Sequence, residues 1–317
     1  MARDSGRADL NRGPSAGPPA HAAGACGGWR AVDIPAATRV AMSVRAGSVV
    51  AMRIASVNVN GIRAAARKGM GGWLAAATPD VVCLQEVRAP LETTAPLVGE
   101  DWHVVEQACE IKGRAGVAIA SRTPLTDVIA GVDALGGVMG EPVHTGRWIE
   151  ATVESPAGPV RVVSVYMHSG TAGTPSMDDK YAMLEAATAR MAALRQQYER
   201  VVVMGDINIA HTENDIKNWK GNLKSAGFLL EERAYLTRWV EAGWVDVHRS
   251  LEGDRPGPYT WWSMRGQAFD NDAGWRIDYQ YASPALAAAA TAVRVDRQAS
   301  WDSRWTDHAP LVVDYAL

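Results

Sequence analysis

The chain alternates short, β-branched apolar runs with longer stretches of helical spacing. Arg53–Val59, Val81–Leu84, Gly116–Ala120, Trp148–Val153 and Val160–Tyr166 read as strands, and Ala64–Ala77 as a helix between the first two. Leu184, Ala187, Met191, Leu194 and Tyr198 fall on one face at helical spacing, which predicts a long helix over Tyr181–Tyr198. Val201-Val202-Val203-Met204 then forms another buried strand, stopping at Gly205-Asp206-Ile207-Asn208. A mixed helical and loop region over His211–Glu241 ends at Gly243. Further strand-like runs lie near Tyr259–Trp262, Ile277–Ala282 and Leu311–Val313. Strands in both halves with helices between them predict an α/β fold with two sheets packed face to face and helices outside.

This regular pattern starts at Met52. Before it the chain is dominated by Ala, Gly, Pro, Arg and Ser, a composition that cannot bury enough apolar area to order itself. Residues 1–51 therefore read as a disordered extension, or as residues upstream of the true start at Met42 or Met52, and 52–317 as one folded domain. The first fifty residues carry six arginines against three aspartates, so the −3 of the whole chain becomes −6 for the remainder. That balance argues against indiscriminate nucleic-acid binding, which rests on Lys and Arg, but leaves room for a carboxylate-lined metal site with a local basic rim. No apolar run approaches membrane-spanning length. Three widely spaced cysteines, Cys26, Cys83 and Cys109, suit neither a disulfide framework nor a zinc site and point to a reducing, cytoplasmic compartment.

Polar groups collect at the ends of the apolar strands. Alternation puts Asp206 and Asn208 on one side of the chain, although for the pair alone an Asx turn is the more ordinary explanation. Five other strand ends repeat the pattern: Asn58 and Asn60, Gln85-Glu86, Tyr166, Asp278, and Asp307-His308 ahead of the last strand. Each alone has a structural explanation as a cap, a turn or a salt-bridge partner. Together they are the parts needed to hydrolyse a phosphodiester with a divalent metal. Carboxylates such as Glu86 suit Mg²⁺, Asp206 can orient or deprotonate a water, and Asn208, His308 and Tyr166 can donate to non-bridging oxygens. Asp278 can fix the histidine tautomer and raise its pKa.

This set, in order Asn58-Val59-Asn60-Gly61, Leu84-Gln85-Glu86, Tyr166, Gly205-Asp206-Ile207-Asn208, Trp275-Arg276-Ile277-Asp278-Tyr279 and Asp307-His308, resembles the exonuclease III family of apurinic/apyrimidinic (AP) endonucleases, within the endonuclease/exonuclease/phosphatase superfamily. The resemblance implies a four-layer α/β sandwich of two mixed sheets. It also implies Glu86 as principal metal ligand with Asn60 near it, Asp307 as a second contact, and Asp206 and Asn208 close to the metal. Asp206 would position the water, held by Asn58 and aided by Asn208. Tyr166 would face the scissile phosphate, and His308 with Asp278 would stabilise the transition state. The implied cofactor is Mg²⁺, with Mn²⁺ as a substitute.

Relatives with these motifs act on DNA, phosphoinositides or sphingomyelin, so other segments choose the substrate. Trp261, Trp275 and Ile277 fall where the resemblance puts a pocket for a base-free deoxyribose flipped out of the duplex. Lys217, Lys220 and Lys224, with an exposed Trp219 and with Asn222, make a backbone-gripping loop. Arg88, Arg114 and Lys180 are further phosphate contacts. The family's proline and amide after the tyrosine are replaced by Met167-His168-Ser169. The expected protein is a monomeric DNA repair nuclease acting on double-stranded DNA with abasic sites or 3′ ends. The rivals are a same-fold phosphodiesterase of lipid or soluble esters, and a non-catalytic DNA-binding module.

Overall fold

The computed structural model describes residues 51–317, and the extension expected before them lies outside the described residues. Twelve strands build two six-stranded sheets. They are β1 (Ala51–Asn58), β2 (Val81–Gln85), β3 (His103–Gln107), β4 (Val117–Ser121), β5 (Leu125–Ala130), β6 (Trp148–Ser155), β7 (Gly158–Tyr166), β8 (Val201–Asp206), β9 (Val245–Asp246), β10 (Asp278–Ala282), β11 (Ala290–Val295) and β12 (Leu311–Ala316). One sheet runs β11-β12-β1-β2-β4-β3, the other β5-β6-β7-β8-β10-β9. Both are mixed, because β1 pairs parallel with β2 and β7 with β8, while their other neighbours are antiparallel.

Strand alternation sorts the apolar side chains into three cores. Val81 and Cys83 of β2 join Val202 and Met204 of β8 in a cluster shared by the two sheets. Val82 and Leu84 point the other way, into a cluster with Ile62, Met70, Trp73 and Leu74 from helices Ile62–Lys68 and Met70–Ala77. Val201 and Val203 pack outward on Met183, Leu184, Ala187, Met191 and Leu194 of helix Ser176–Gln197, and on Leu236 and Trp239 of helix Leu230–Glu241. Both faces of each central strand are thus buried, which is why these strands read as unbroken apolar runs. The layers are helix, sheet, sheet, helix, as expected.

Near the end of the sandwich that carries the candidate residues, the middle layer turns polar and the sheets are joined by hydrogen bonds. Gln85 donates to Ser164 Oγ (3.1 Å), which donates to the Leu84 carbonyl (3.1 Å). Gln280 Nε2 donates to the Ile54 carbonyl (3.1 Å), and the Tyr315 hydroxyl donates to Gln280 Oε1 (2.9 Å). Buried polar groups that are mutually satisfied fix one relative placement of the two sheets.

Three local expectations need correction. The helix expected over Ala64–Ala77 is two helices, because Gly69 at φ 127° breaks it. The helix expected from Tyr181 starts at Ser176. Tyr259–Trp262 is not a strand: Trp261 forms only isolated bridges to Trp275 and His308.

Candidate active site

Register brings the polar strand ends together. Tyr166 pairs with Asp206 between β7 and β8, and Asp278 pairs with Asp206 between β10 and β8. Asn58 pairs with Gln85 in the other sheet. The fully buried Asn58 then spans the two sheets, its Nδ2 donating 2.9 Å to Glu86 Oε1 and 2.9 Å to Asp206 Oδ2. Its Oδ1 accepts from the Asn60 amide (2.9 Å), and Asn60 Nδ2 donates to Asp307 Oδ1 (2.8 Å). Asn58 therefore ties two of the candidate carboxylates together directly and reaches a third, Asp307, through Asn60.

Gly205 makes this placement possible. It sits at φ 147°, and a Cβ there would lie 1.9 Å from the Val165 carbonyl oxygen, so no other residue fits before Asp206. Asn60, Glu86, Arg88 and Asn208 all have φ between 46° and 56°, the left-handed region that non-glycine residues rarely adopt. Such strain gathers where the fold must aim side chains rather than extend strands. It also corrects the alternation argument: Asn208 lies past the end of β8 in a left-handed turn. Its amide donates to Asp206 Oδ1 (2.9 Å), so the Asx turn is real, and its Nδ2 holds the Met167 carbonyl (2.9 Å). Turn and site coincide.

Asp206 is buried, and burial, reinforced by Asp278 and opposed by His308, pushes its pKa up to about 7. His308 Nδ1 lies 2.9 Å from Asp278 Oδ2, and its Nε2 lies 3.8 Å from Asp206 Oδ2. Burial works against a charge on His308, but Asp278, with Asp206 and Asp307, outweighs it and raises the pKa to about 10. The ring is therefore an imidazolium at neutral pH. Asp278 is itself aligned by Thr260 Oγ1, which accepts from the amides of Ile277 and Asp278 (both 3.1 Å). Burial together with Glu86 and Asp206 holds the Tyr166 phenol well above its usual pKa, leaving it a hydrogen-bond donor.

These groups line a cavity of about 430 Å³ that holds Glu86, Arg88, Tyr166, Asp206, Asn208, Asp307 and His308. Its far wall is Trp261, Trp275 and Ile277. The two indoles meet edge to face at 6.2 Å, and Trp261 Nε1 donates to Asp307 Oδ2 (3.1 Å). Ser225, Ala226 and Gly227 close the rim. Arg147 was missed, since it opens an apolar strand without any motif. Its guanidinium lies 4.9 Å over the Tyr166 ring, and its carbonyl accepts the Tyr166 amide (2.9 Å).

Other candidates sit elsewhere. Lys180 is buried, paired with Glu232 (2.5 Å), and donates to the Ser169 and Asn208 carbonyls (3.1 and 2.9 Å). It cannot meet a phosphate, and instead braces the Asn208 turn. Glu232 in turn accepts from the Gly227 and Leu229 amides (2.7 and 3.0 Å). Lys217, Lys220 and Lys224 are exposed but lie outside the cavity wall. Asn222 is engaged within the loop, bonding the Asn218 carbonyl and Ser225 Oγ. Trp219 is half-buried against Ile216, Phe228 and Ile277 rather than exposed. Arg88 pairs with Glu86, and Arg114 is exposed on the surface.

His168, which departs from the family pattern, is buried against His144 (Nε2 to Nδ1, 2.9 Å). Burial, with Arg147, His144 and Lys180 near, pushes its pKa down to about 2. A base whose folded pKa lies below its unfolded value near 6.5 costs nothing above that pH. Below it, the unfolded chain takes a proton that the native state refuses, and stability falls until pH reaches the folded pKa. Between pH 7 and pH 5 wild type should lose about 2 kcal/mol more stability than His168→Gln, measured by urea unfolding. Parallel losses in the two proteins would refute the assignment.

Among the described residues no group of three or more His, Cys, Asp or Glu stands ready to cage a metal. The donors beside Asn58 are hard oxygens, the carboxylates of Glu86 and Asp307 and the Asn60 amide oxygen, and they fit a cation that retains several waters.

Comparison with known proteins agrees with this geometry. The family described as Endonuclease/Exonuclease/phosphatase matches residues 55–308. The chain is 36% identical to an exodeoxyribonuclease of Bacillus subtilis over 82% of this chain and 98% of that one. It is 32% identical to the DNA repair nuclease APEX1 of Danio rerio, over 84% and 83% of the two chains. Among solved structures, the Neisseria 3′ phosphatase NExo bound to a product DNA hairpin superposes with a TM-score of 0.75 at 31% identity, covering 83% of this chain and 99% of that one. An AP endonuclease from Archaeoglobus fulgidus gives 0.72 at 28%, covering 84% and 100%. With the family model spanning residues 55–308, the chain belongs to the endonuclease/exonuclease/phosphatase family, in the branch that contains exodeoxyribonucleases and AP endonucleases.

Proposed function

We propose that the protein is a DNA repair nuclease that hydrolyses phosphodiesters, cutting 5′ to abasic sites to leave a 3′-hydroxyl and trimming 3′ ends of duplex DNA. The observation that carries this reading is one cavity in which Glu86, Asp206, Tyr166, Asp307 and His308 face an apolar wall of Trp261, Trp275 and Ile277. The proteins it resembles are named as exodeoxyribonucleases, AP endonucleases and a DNA-bound 3′ phosphatase. An apolar indole wall beside the carboxylates suits a base-free deoxyribose turned out of the duplex.

Each side chain has a task. Asp206, its two oxygens fixed by Asn58 and the Asn208 amide, accepts a proton from the attacking water and aims it. His308, held by Asp278, donates to a non-bridging oxygen as charge accumulates there, and the neutral Tyr166 phenol donates beside it. Both donors are in place before reaction, so little reorganisation is needed. Glu86, Asn60 and Asp307 are the residues to hold a divalent cation, Mg²⁺ by donor type with Mn²⁺ as substitute, and such a cation supplies Lewis-acid neutralisation of the phosphate. Arg88 takes one Glu86 oxygen in this structure, and its 40% exposed side chain is free to turn outward and release it. The exposed Lys217, Lys220 and Lys224 grip the backbone from the neighbouring loop. Residues 52–317 form the catalytic domain. A monomer in a reducing cytoplasm suits the unpaired Cys83 and Cys109; no helix among the described residues is long and apolar enough to cross a membrane.

Trp275→Ala should lower kcat/KM on a duplex with one tetrahydrofuran site by about 10- to 100-fold, the scale of losing one packed aromatic contact. EDTA should abolish incision and Mg²⁺ restore it. Equal rates on abasic and intact duplexes, or incision unaffected by EDTA, would overturn the assignment.

A further inference from the structure

Lys180 and Glu232 form an ion pair in which neither side chain is exposed to solvent. Taking both charges out of water is costly, and an apolar pair of similar volume would commonly hold a fold as well. What distinguishes this pair is its set of partners. The ammonium has three donors and three acceptors: Glu232 Oε1 (2.5 Å), the Ser169 carbonyl (3.1 Å) and the Asn208 carbonyl (2.9 Å). Glu232 Oε2 accepts from the amides of Gly227 (2.7 Å) and Leu229 (3.0 Å). Ser169, Asn208 and Gly227 all line the active-site cavity. They come from three separate connections, after β7, after β8 and ahead of helix Leu230–Glu241. One buried ion pair thus fastens three segments of the cavity wall from behind.

The packing around the pair leaves little slack. Gly170 covers the Lys180 stem so closely that a Cβ there would lie 3.3 Å from Lys180 Cδ. Gly227, at φ 89°, rests against both the catalytic turn and the indole wall. A Cβ on it would lie 3.0 Å from the Asn208 carbonyl oxygen and 3.2 Å from Trp275 Cζ3. Its own carbonyl accepts the Ala210 amide (2.8 Å). Asn208 keeps its left-handed conformation (φ 56°) while Lys180 holds its carbonyl, and such a conformation persists only where the surroundings enforce it.

We propose that Lys180 and Glu232 are a positioning pair for phosphodiester hydrolysis, which sets the Asp206–Asn208 turn at a fixed distance from Trp275 so that the attacking water and the sugar meet in register. Neither residue reaches the substrate, and the proposal rests on the nuclease reading above. A misplacement of about 1 Å at a reacting centre can cost roughly 100-fold in rate, so the pair acts on kcat. Lys180→Met leaves Glu232 buried and unpaired and should lower the melting temperature. Lys180→Met/Glu232→Gln removes both charges and keeps an acceptor for the Gly227 and Leu229 amides, so the melting temperature should return towards that of wild type. Its kcat on a tetrahydrofuran duplex with Mg²⁺ should nevertheless stay about 10- to 100-fold low, with KM within about threefold, because the Ser169 and Asn208 carbonyls have lost their donor. Assays run well below each variant's transition, so that lost stability alone leaves kcat unchanged. Hydrogen–deuterium exchange in the full-length double variant should quicken about tenfold over residues 206–210 and 225–229 and stay unchanged in the central strands. A kcat within threefold of wild type in the double variant, or wild-type exchange over both segments, overturns the positioning role and leaves the pair a structural one. Absence of wild-type incision overturns the nuclease reading instead, and the exchange measurement still decides whether the pair holds rim and turn together.

Discussion

Asp206→Asn should reduce kcat on an abasic duplex by about 10³- to 10⁴-fold, the upper range for loss of a positioned general base, while KM stays within about tenfold. The substitution keeps the shape of the side chain but removes its basicity. It also mispairs it, because both carboxylate oxygens accept, one from the Asn208 amide and one from Asn58 Nδ2. The new amide nitrogen must face one of those donors. The substrate contacts proposed for Trp275, Ile277 and the loop lysines are untouched, so the loss belongs in kcat. Pre-steady-state incision and a duplex-binding measurement on the same preparation check it. A variant that cuts within tenfold of wild type would remove Asp206 from the chemistry.

Asp215→Ala should destabilise the protein by about 3–5 kcal/mol, because it removes a buried carboxylate shared by two arginines, leaving Arg249 without one and Arg276 with Asp246 alone. Asp215 is fully buried, accepts 2.6 Å from Arg276 Nε and pairs with Arg249. Burial alone raises a carboxyl pKa, but Arg276 and Arg249 outweigh it and hold Asp215 well below the usual range. The Asp215 carbonyl also accepts the Arg276 amide (2.7 Å), which seats the strand entry carrying Trp275, Ile277 and Asp278. For a domain of this size the loss corresponds to a melting temperature lower by roughly 10 °C, accompanied by weaker incision. Calorimetry of the variant tests it, and an unchanged transition would show that the arginines find other partners.

What the sequence could reveal followed burial. The central strands, β1, β2, β4, β6, β7, β8, β10 and β12, are covered on both faces, and their apolar runs marked them. The strands that gave no signal, β3, β5, β9 and β11, are the four sheet edges. Edge strands such as β5, half exposed over Leu125–Ala130, carry mixed side chains that resemble loop. Site residues followed the same logic: a carboxylate or amide closing an apolar run is conspicuous, as at Asn58, Glu86 and Asp206, and so is Asp278 set within an apolar and aromatic one. Lys180 misled because a lysine near a site suggests phosphate, and only the fold supplies the buried Glu232 that claims it. Arg147 reaches the site through tertiary packing, which no local pattern encodes.

The central claim is that the Glu86–Asn58–Asp206 bridge and its aromatic wall cut DNA at a missing base. Its most direct test is a duplex labelled at the 5′ end of the strand that carries a single tetrahydrofuran site, incubated with the full-length protein and Mg²⁺, the product mapped on a sequencing gel. Wild type should give a first band ending in a 3′-hydroxyl immediately 5′ to the abasic position, shortened at later times by 3′ trimming, and Glu86→Ala should give none. No cut by wild type, a cut elsewhere, or an undiminished band with Glu86→Ala would contradict the account.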